Sequence, residues 1–129
     1  LLSIDELCSI VLAEAIAIHK ELGPGLYEAV YESVLTGRLR RHGMTVERQV
    51  QVKAIFDGIT YDPAFKIDML VDKRLVLEIK AVEQLSKAHG KQLLTYLRLL
   101  KQPVGLLLNF SEATLKDGIR RVVDDYKPT

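Results

Sequence analysis

Glu78 and Lys80 stand two residues apart in LVLEIKAV, residues 75–82, a run whose other members are all apolar. Alternate residues of a strand share a face, so Val76, Glu78, Lys80 and Val82 project on one side and Leu75, Leu77, Ile79 and Ala81 on the other. Burying an ion costs several kcal/mol unless a partner or a metal compensates. A second acid lies upstream in KIDMLV, residues 66–71, where Lys66, Asp68 and Leu70 share a face. If Asp72, Lys73 and Arg74 form a three-residue connection, Val71 falls opposite Leu75. Antiparallel pairing then sets Asp68 across from Glu78 and Lys66 across from Lys80. Directly opposed residues have Cβ atoms roughly 4.5–5.5 Å apart, the right scale for two carboxylates to hold one cation. A two-residue loop would instead set Asp68 against Leu77.

Hard divalent cations such as Mg²⁺ take carboxylate and backbone oxygens and keep several waters, which suits a site with only two or three acids. An ammonium such as that of Lys80 can orient the attacking water or stabilise charge on a phosphate. Two acids, a cation and an amine together describe metal-assisted hydrolysis of a phosphodiester. The same residues also describe an ordinary ion pair on a solvated strand face, with Glu78 and Lys80 neutralising one another. Strand patterning alone leaves both readings open.

The elements that must position these groups follow from periodicity. Ser3 and Glu6 form a capping-box pattern ahead of a helix over residues 4–22, with Leu7, Val11, Ile18 and Leu22 as its inner stripe. The GPG at 23–25 reads as a helix-to-helix break rather than a phosphate cradle, since no strand precedes it. A second helix is expected over residues 26–42, carrying Glu28, Tyr31, Leu35 and Leu39 on one line; Tyr31 is placed to donate to Glu28 or to pack in the core. Val46 to Phe56 alternates as a half-exposed strand. A turn at Asp57-Gly58, a short strand over 59–61 and a bend at Pro63 follow. The two apolar strands come next, then a helix over 86–101 with Leu93, Leu94, Leu97 and Leu100 inward, and a buried strand, VGLLLNF. A closing helix is expected over 113–125, with Leu115, Ile119, Val122 and Val123 facing in. This order predicts an α+β or mixed α/β fold.

A chain of 129 residues, 48% hydrophobic, is the size of one domain, here residues 1–129. Its net charge of +1 makes no overall electrostatic case for nucleic acid or an anionic membrane. The arginines at 38, 40 and 41 and the cations at 87, 91, 98, 116, 120 and 121 read first as solvated helix faces. Cys8 is the only cysteine, which excludes an internal disulfide and any multi-cysteine zinc site. Charges interrupt the apolar N-terminal stretch, so a cytoplasmic protein without a membrane segment is expected.

Asp68, nine intervening residues, then Glu78-Ile79-Lys80 resembles the D-x(n)-E-x-K core of the PD-(D/E)XK nuclease superfamily. Gly25-Leu26-Tyr27-Glu28-Ala29-Val30-Tyr31 resembles the G-x-x-E-x-x-Y signature of the GxxExxY family within it. VERQV, EIKAVEQL, HGKQLLTYLRL and GLLLNF follow in similar order. The resemblance implies a restriction-endonuclease-like core, a central mixed sheet flanked by helices, with Mg²⁺ or Mn²⁺ at its centre. It implies Asp68, Glu78 and the Ile79 carbonyl as metal ligands, Lys80 serving the attacking water, and Glu28 and Gln92 as further site residues. Tyr96 lies one turn beyond Gln92. The partner implied is nucleic acid, DNA first, and a homo-oligomer stays open. Two positions depart from the pattern: Lys66-Ile67-Asp68 lacks the name-giving proline, and Ser111 stands where glycine is expected after Asn109-Phe110. A catalytically inactive relative that binds nucleic acid or oligomerises is the alternative.

Overall fold

The computed structural model describes residues 1–127. Helix α1 (Ile4–Leu22) opens with the expected capping box, Glu6 N donating to Ser3 Oγ at 3.1 Å and Ser3 N to Glu6 Oε1 at 3.0 Å. Leu7, Val11 and Ile18 are fully buried along its inner stripe. Leu22 is not part of that stripe: it is 40% exposed, because the helix ends there and the chain turns away at Gly23. Helix α2 (Glu28–Arg41) begins two residues later than its periodicity suggests, with Tyr27 extended at its N-cap. Its inner line of Tyr31, Leu35 and Leu39 is fully buried.

Strands β1 (Val46–Phe56), β2 (Ile59–Val71), β3 (Leu75–Lys80), β4 (Val104–Asn109) and β5 (Ile119–Val123) lie side by side in that order. Only β3 and β4 run parallel, so the chain must cross between them, which it does through helix α3 (Lys87–Leu100). The two central strands are buried on both faces, which is why their sequences are near-continuous apolar runs. Leu75, Leu77, Ile79, Leu106 and Leu108 pack under α1 and α2, whereas Val76 and Leu107 meet Leu93 and Leu97 of α3 on the opposite face. The result is the mixed sheet between helices that a restriction-endonuclease-like core requires. Among the described residues no helix is long and apolar enough to cross a membrane.

Two expected elements differ. Residues 59–61 are not a separate strand but the start of the 13-residue β2. Pro63 is accommodated because the β1–β2 ladder slips between Val52 and Ala54, where no partner needs its missing N–H. Residues 113–125 form no α-helix. A 3₁₀ turn (Leu115–Gly118) leads into β5, which pairs with β4 from Val104↔Val123 to Leu108↔Ile119. All six residues of β4 are buried, so its second edge needs backbone partners that a helix cannot offer. Leu115, Ile119 and Val122 mimic helical spacing, but that requirement decides the outcome.

The β1–β2 ribbon also changes face along its length. Val46, Met69 and Val71 belong to the core under α1 and α2, whereas Val50 and Ile67, of the same parity, belong to the core under α3. Between them Gln49 adopts a left-handed conformation with φ of 50°.

Candidate active site

The β2–β3 register is the one the three-residue connection predicts: Val71↔Leu75, Leu70↔Val76 and Met69↔Leu77. One step further on, side chains replace the ladder. Asp68 N donates to Glu78 Oε1 at 3.3 Å, and Ile79 N donates to Asp68 Oδ2 at 2.8 Å. The two acids are therefore interlocked across neighbouring strands. Because paired backbone ends at Met69, Lys66 does not come to lie opposite Lys80 as the extended register would have it. Lys66 instead lines the outer cavity beside Asp68.

Glu78 is 5% exposed. Burial, and after it the charge of Asp68, push its carboxyl up from 4.5 to about 8, against the opposing pull of the Asp68 N–H and the Lys80 ammonium. Among the described residues Glu78 and Lys80 form no salt bridge, so the pair does not neutralise itself as a surface ion pair would. Tyr96 reaches the site from α3. Its ring stacks on Phe65 at 4.4 Å, and its hydroxyl is shifted upward by burial and then by Glu78 and Asp68.

Glu28, at the first turn of α2, accepts from Ala81 N at 2.8 Å and so sits against the end of β3, directly after Lys80. The segment beyond is stapled by Asn109, fully buried at the end of β4. Its amide donates to Val82 O at 2.9 Å, and its carbonyl accepts from Val82 N and Ser111 N at 3.1 and 3.2 Å. Tyr31 does not donate to Glu28. It donates to Gly23 O at 2.6 Å, accepts from Leu26 N at 3.1 Å and stacks on Phe110, bracing the loop that leads into Glu28. Gln92 is exposed on α3, and its side chain makes no hydrogen bond among the described residues.

Two open cavities flank Glu28. One, of about 450 Å³, is lined by Glu28, Glu32, Arg48, Gln49, Lys66 and Asp68 among others; the second, of about 550 Å³, by Gly25, Tyr27, Ala81 and Ser111 with Glu28 again. A third cavity of about 500 Å³, against Ile16, His19, Pro24 and Leu115, is lined by none of these acids. Glu32, Arg48 and Gln49 are the participants that motif reading passed over. Glu32 lies four residues after Glu28 on α2, a spacing that places both on one face and was legible. The arrival of Gln49 at the same place depends on its backbone and was not.

Asp68 and Glu78 offer hard oxygen donors whose mutual repulsion a divalent cation would relieve. No group of three or more His, Cys, Asp or Glu side chains is close enough together to hold a metal ion among the described residues. The donor set therefore fits an ion content with two carboxylates, backbone oxygen and water, as Mg²⁺ is, and not a closed zinc cage.

No curated protein matches the sequence. A solved structure described as "Crystal structure of SSO0001" is similar in fold, with a TM-score of 0.55 and 20% identity over 78% of this chain and 50% of that one. The present chain thus spans half the length of that protein. The family model of the PD-(D/E)XK nuclease superfamily matches residues 5–122, a span that contains all five strands up to Val122 and every acid described above. On that match, with a sheet and an acid pair of the expected order, the chain belongs to the PD-(D/E)XK nuclease superfamily.

Proposed function

We propose that this domain is a metal-dependent nuclease that hydrolyses phosphodiester bonds, with DNA as its first substrate. Nucleases of the superfamily generally use Mg²⁺ or Mn²⁺. The observation that carries the reading is the interlock of Asp68 and Glu78 across β2 and β3, two carboxylates held together in spite of their charges. In this proposal Asp68, Glu78 and the Ile79 carbonyl hold the ion. The chemistry such an ion supplies is Lewis-acid polarisation of a phosphoryl oxygen and a lowered pKa for water.

Lys80 follows Glu78 by two residues and directs its ammonium toward the attacking water or a phosphate oxygen, where a fixed positive charge favours the transition state. The water gives up a proton to solvent as its oxygen bonds to phosphorus, the bond to the departing sugar oxygen breaks, and that oxygen takes up a proton from solvent. Glu28, fixed by Ala81 N, orients water at the mouth of the site, and Gln92 extends an amide from α3 toward the phosphate. Within the superfamily the finer placement is the GxxExxY family, on Gly25, Glu28 and Tyr31.

Metal titration tests binding: Mg²⁺ or Mn²⁺ should raise the melting temperature of the wild type and leave Asp68→Ala and Glu78→Ala unmoved. Cleavage of plasmid and single-stranded DNA with Mn²⁺, compared with Lys80→Ala, tests chemistry. A wild type that binds DNA, ignores both metals and cuts nothing would establish the inactive binding module instead.

A further inference from the structure

Arg48 and Gln49 are consecutive residues of β1, and consecutive strand residues point to opposite faces. Here both reach one carboxylate. Arg48 grips Glu32 Oε2 through Nε at 2.9 Å and Nη2 at 2.8 Å, while Gln49 Nε2 donates to Glu32 Oε1 at 2.7 Å. The same Gln49 amide nitrogen lies 3.4 Å from Asp68 Oδ1. This convergence is possible only because Gln49 leaves the strand conformation for φ of 50°, a region that a side chain as long as glutamine seldom occupies. An outlier held by surrounding contacts is a reason to look for function.

The two hydrogens of one amide are thus divided between two acids. Glu32 is 4% exposed, and its charge is met by Arg48, so it is a fixed anchor for the amide. Asp68 is held from both sides: Gln49 approaches Oδ1 and Ile79 N binds Oδ2. Each oxygen keeps a lone pair directed elsewhere. Side chains that orient a metal ligand in this way set its geometry and basicity without touching the metal.

We infer that Gln49, anchored by Glu32 and Arg48, is a positioning residue that fixes the carboxylate plane of Asp68 for cation binding. The inference rests on the proposed role of Asp68 as a ligand. Its test separates positioning from folding, because Gln49→Gly removes the amide and also relieves the left-handed backbone. The metal-free variant should still unfold cooperatively, with a melting temperature lowered only modestly by the lost bond to Glu32, while Mn²⁺ affinity, measured by calorimetric titration, falls about tenfold or more. Gln49→Met, of similar length but without donors, should lose affinity to the same extent and decides the matter if the glycine variant does not fold. Wild-type affinity in the variant that folds would overturn the inference and leave the metal site standing. A wild type that takes up no Mn²⁺ would overturn the metal site and the inference with it.

Discussion

Replacing Glu78 by Gln isolates the cost of keeping an acid under the sheet beside Asp68. In the metal-free protein the Glu78 carboxyl titrates near 8 instead of 4.5, through burial first and the Asp68 charge second. Between those values the folded chain keeps a proton that the unfolded chain has released, so stability falls as pH rises. The stabilisation is complete below 4.5 and is lost as pH passes through about 8. At ~1.4 kcal/mol per pH unit, the full effect is about 5 kcal/mol, a large part of a domain's total stability. Glutamine reproduces the neutral acid, including an oxygen able to accept from Asp68 N, and does not titrate. Urea unfolding in chelator should therefore give wild type and Glu78→Gln similar stabilities near about pH 5, with the variant ahead by several kcal/mol near about pH 9. Mg²⁺ should restore the wild type at the higher pH and do nothing for the variant. Curves that keep a constant separation across the range would refute the assignment of this cost to Glu78.

Three further outcomes are expected. Asn109→Leu strands both half-buried backbone groups of Val82 and should cost about 1–3 kcal/mol in chemical unfolding. Tyr31→Phe removes the hydroxyl that ties Gly23 to Leu26 and should cost about 1–2 kcal/mol, with faster amide exchange confined to the loop before α2. Lys80→Ala should leave the metal-dependent rise in melting temperature intact while lowering cleavage at least about 100-fold, since the proposed mechanism gives the ammonium the reacting groups and not the ion to act on.

Much of the frame was legible along the chain. The Ser3–Glu6 box fixes the start of α1 by local hydrogen bonding, and the parity of residues 75–80 puts Glu78 and Lys80 on one face whatever surrounds them. The three-residue connection likewise set the β2–β3 register, since turn length and strand pairing are coupled over a few residues. Local spacing misled at residues 113–125, where an amphipathic helical pattern yielded to the need of buried β4 for a partner on its second edge.

Of the site, the sequence by itself determined which acids lie close together, because Asp68 and Glu78 are joined by a short antiparallel turn. Tertiary structure alone decided what holds them. Glu32 from α2 and Gln49 from β1 are brought to Asp68 from separate parts of the chain, and Glu28 of α2 is brought to Ala81 just beyond β3. The left-handed turn of Gln49 breaks the alternation on which strand reading depends, and no local propensity specifies it. It is held by the buried Glu32 carboxylate, whose other oxygen is bound by the exposed Arg48, a contact that exists only once helix and sheet have packed.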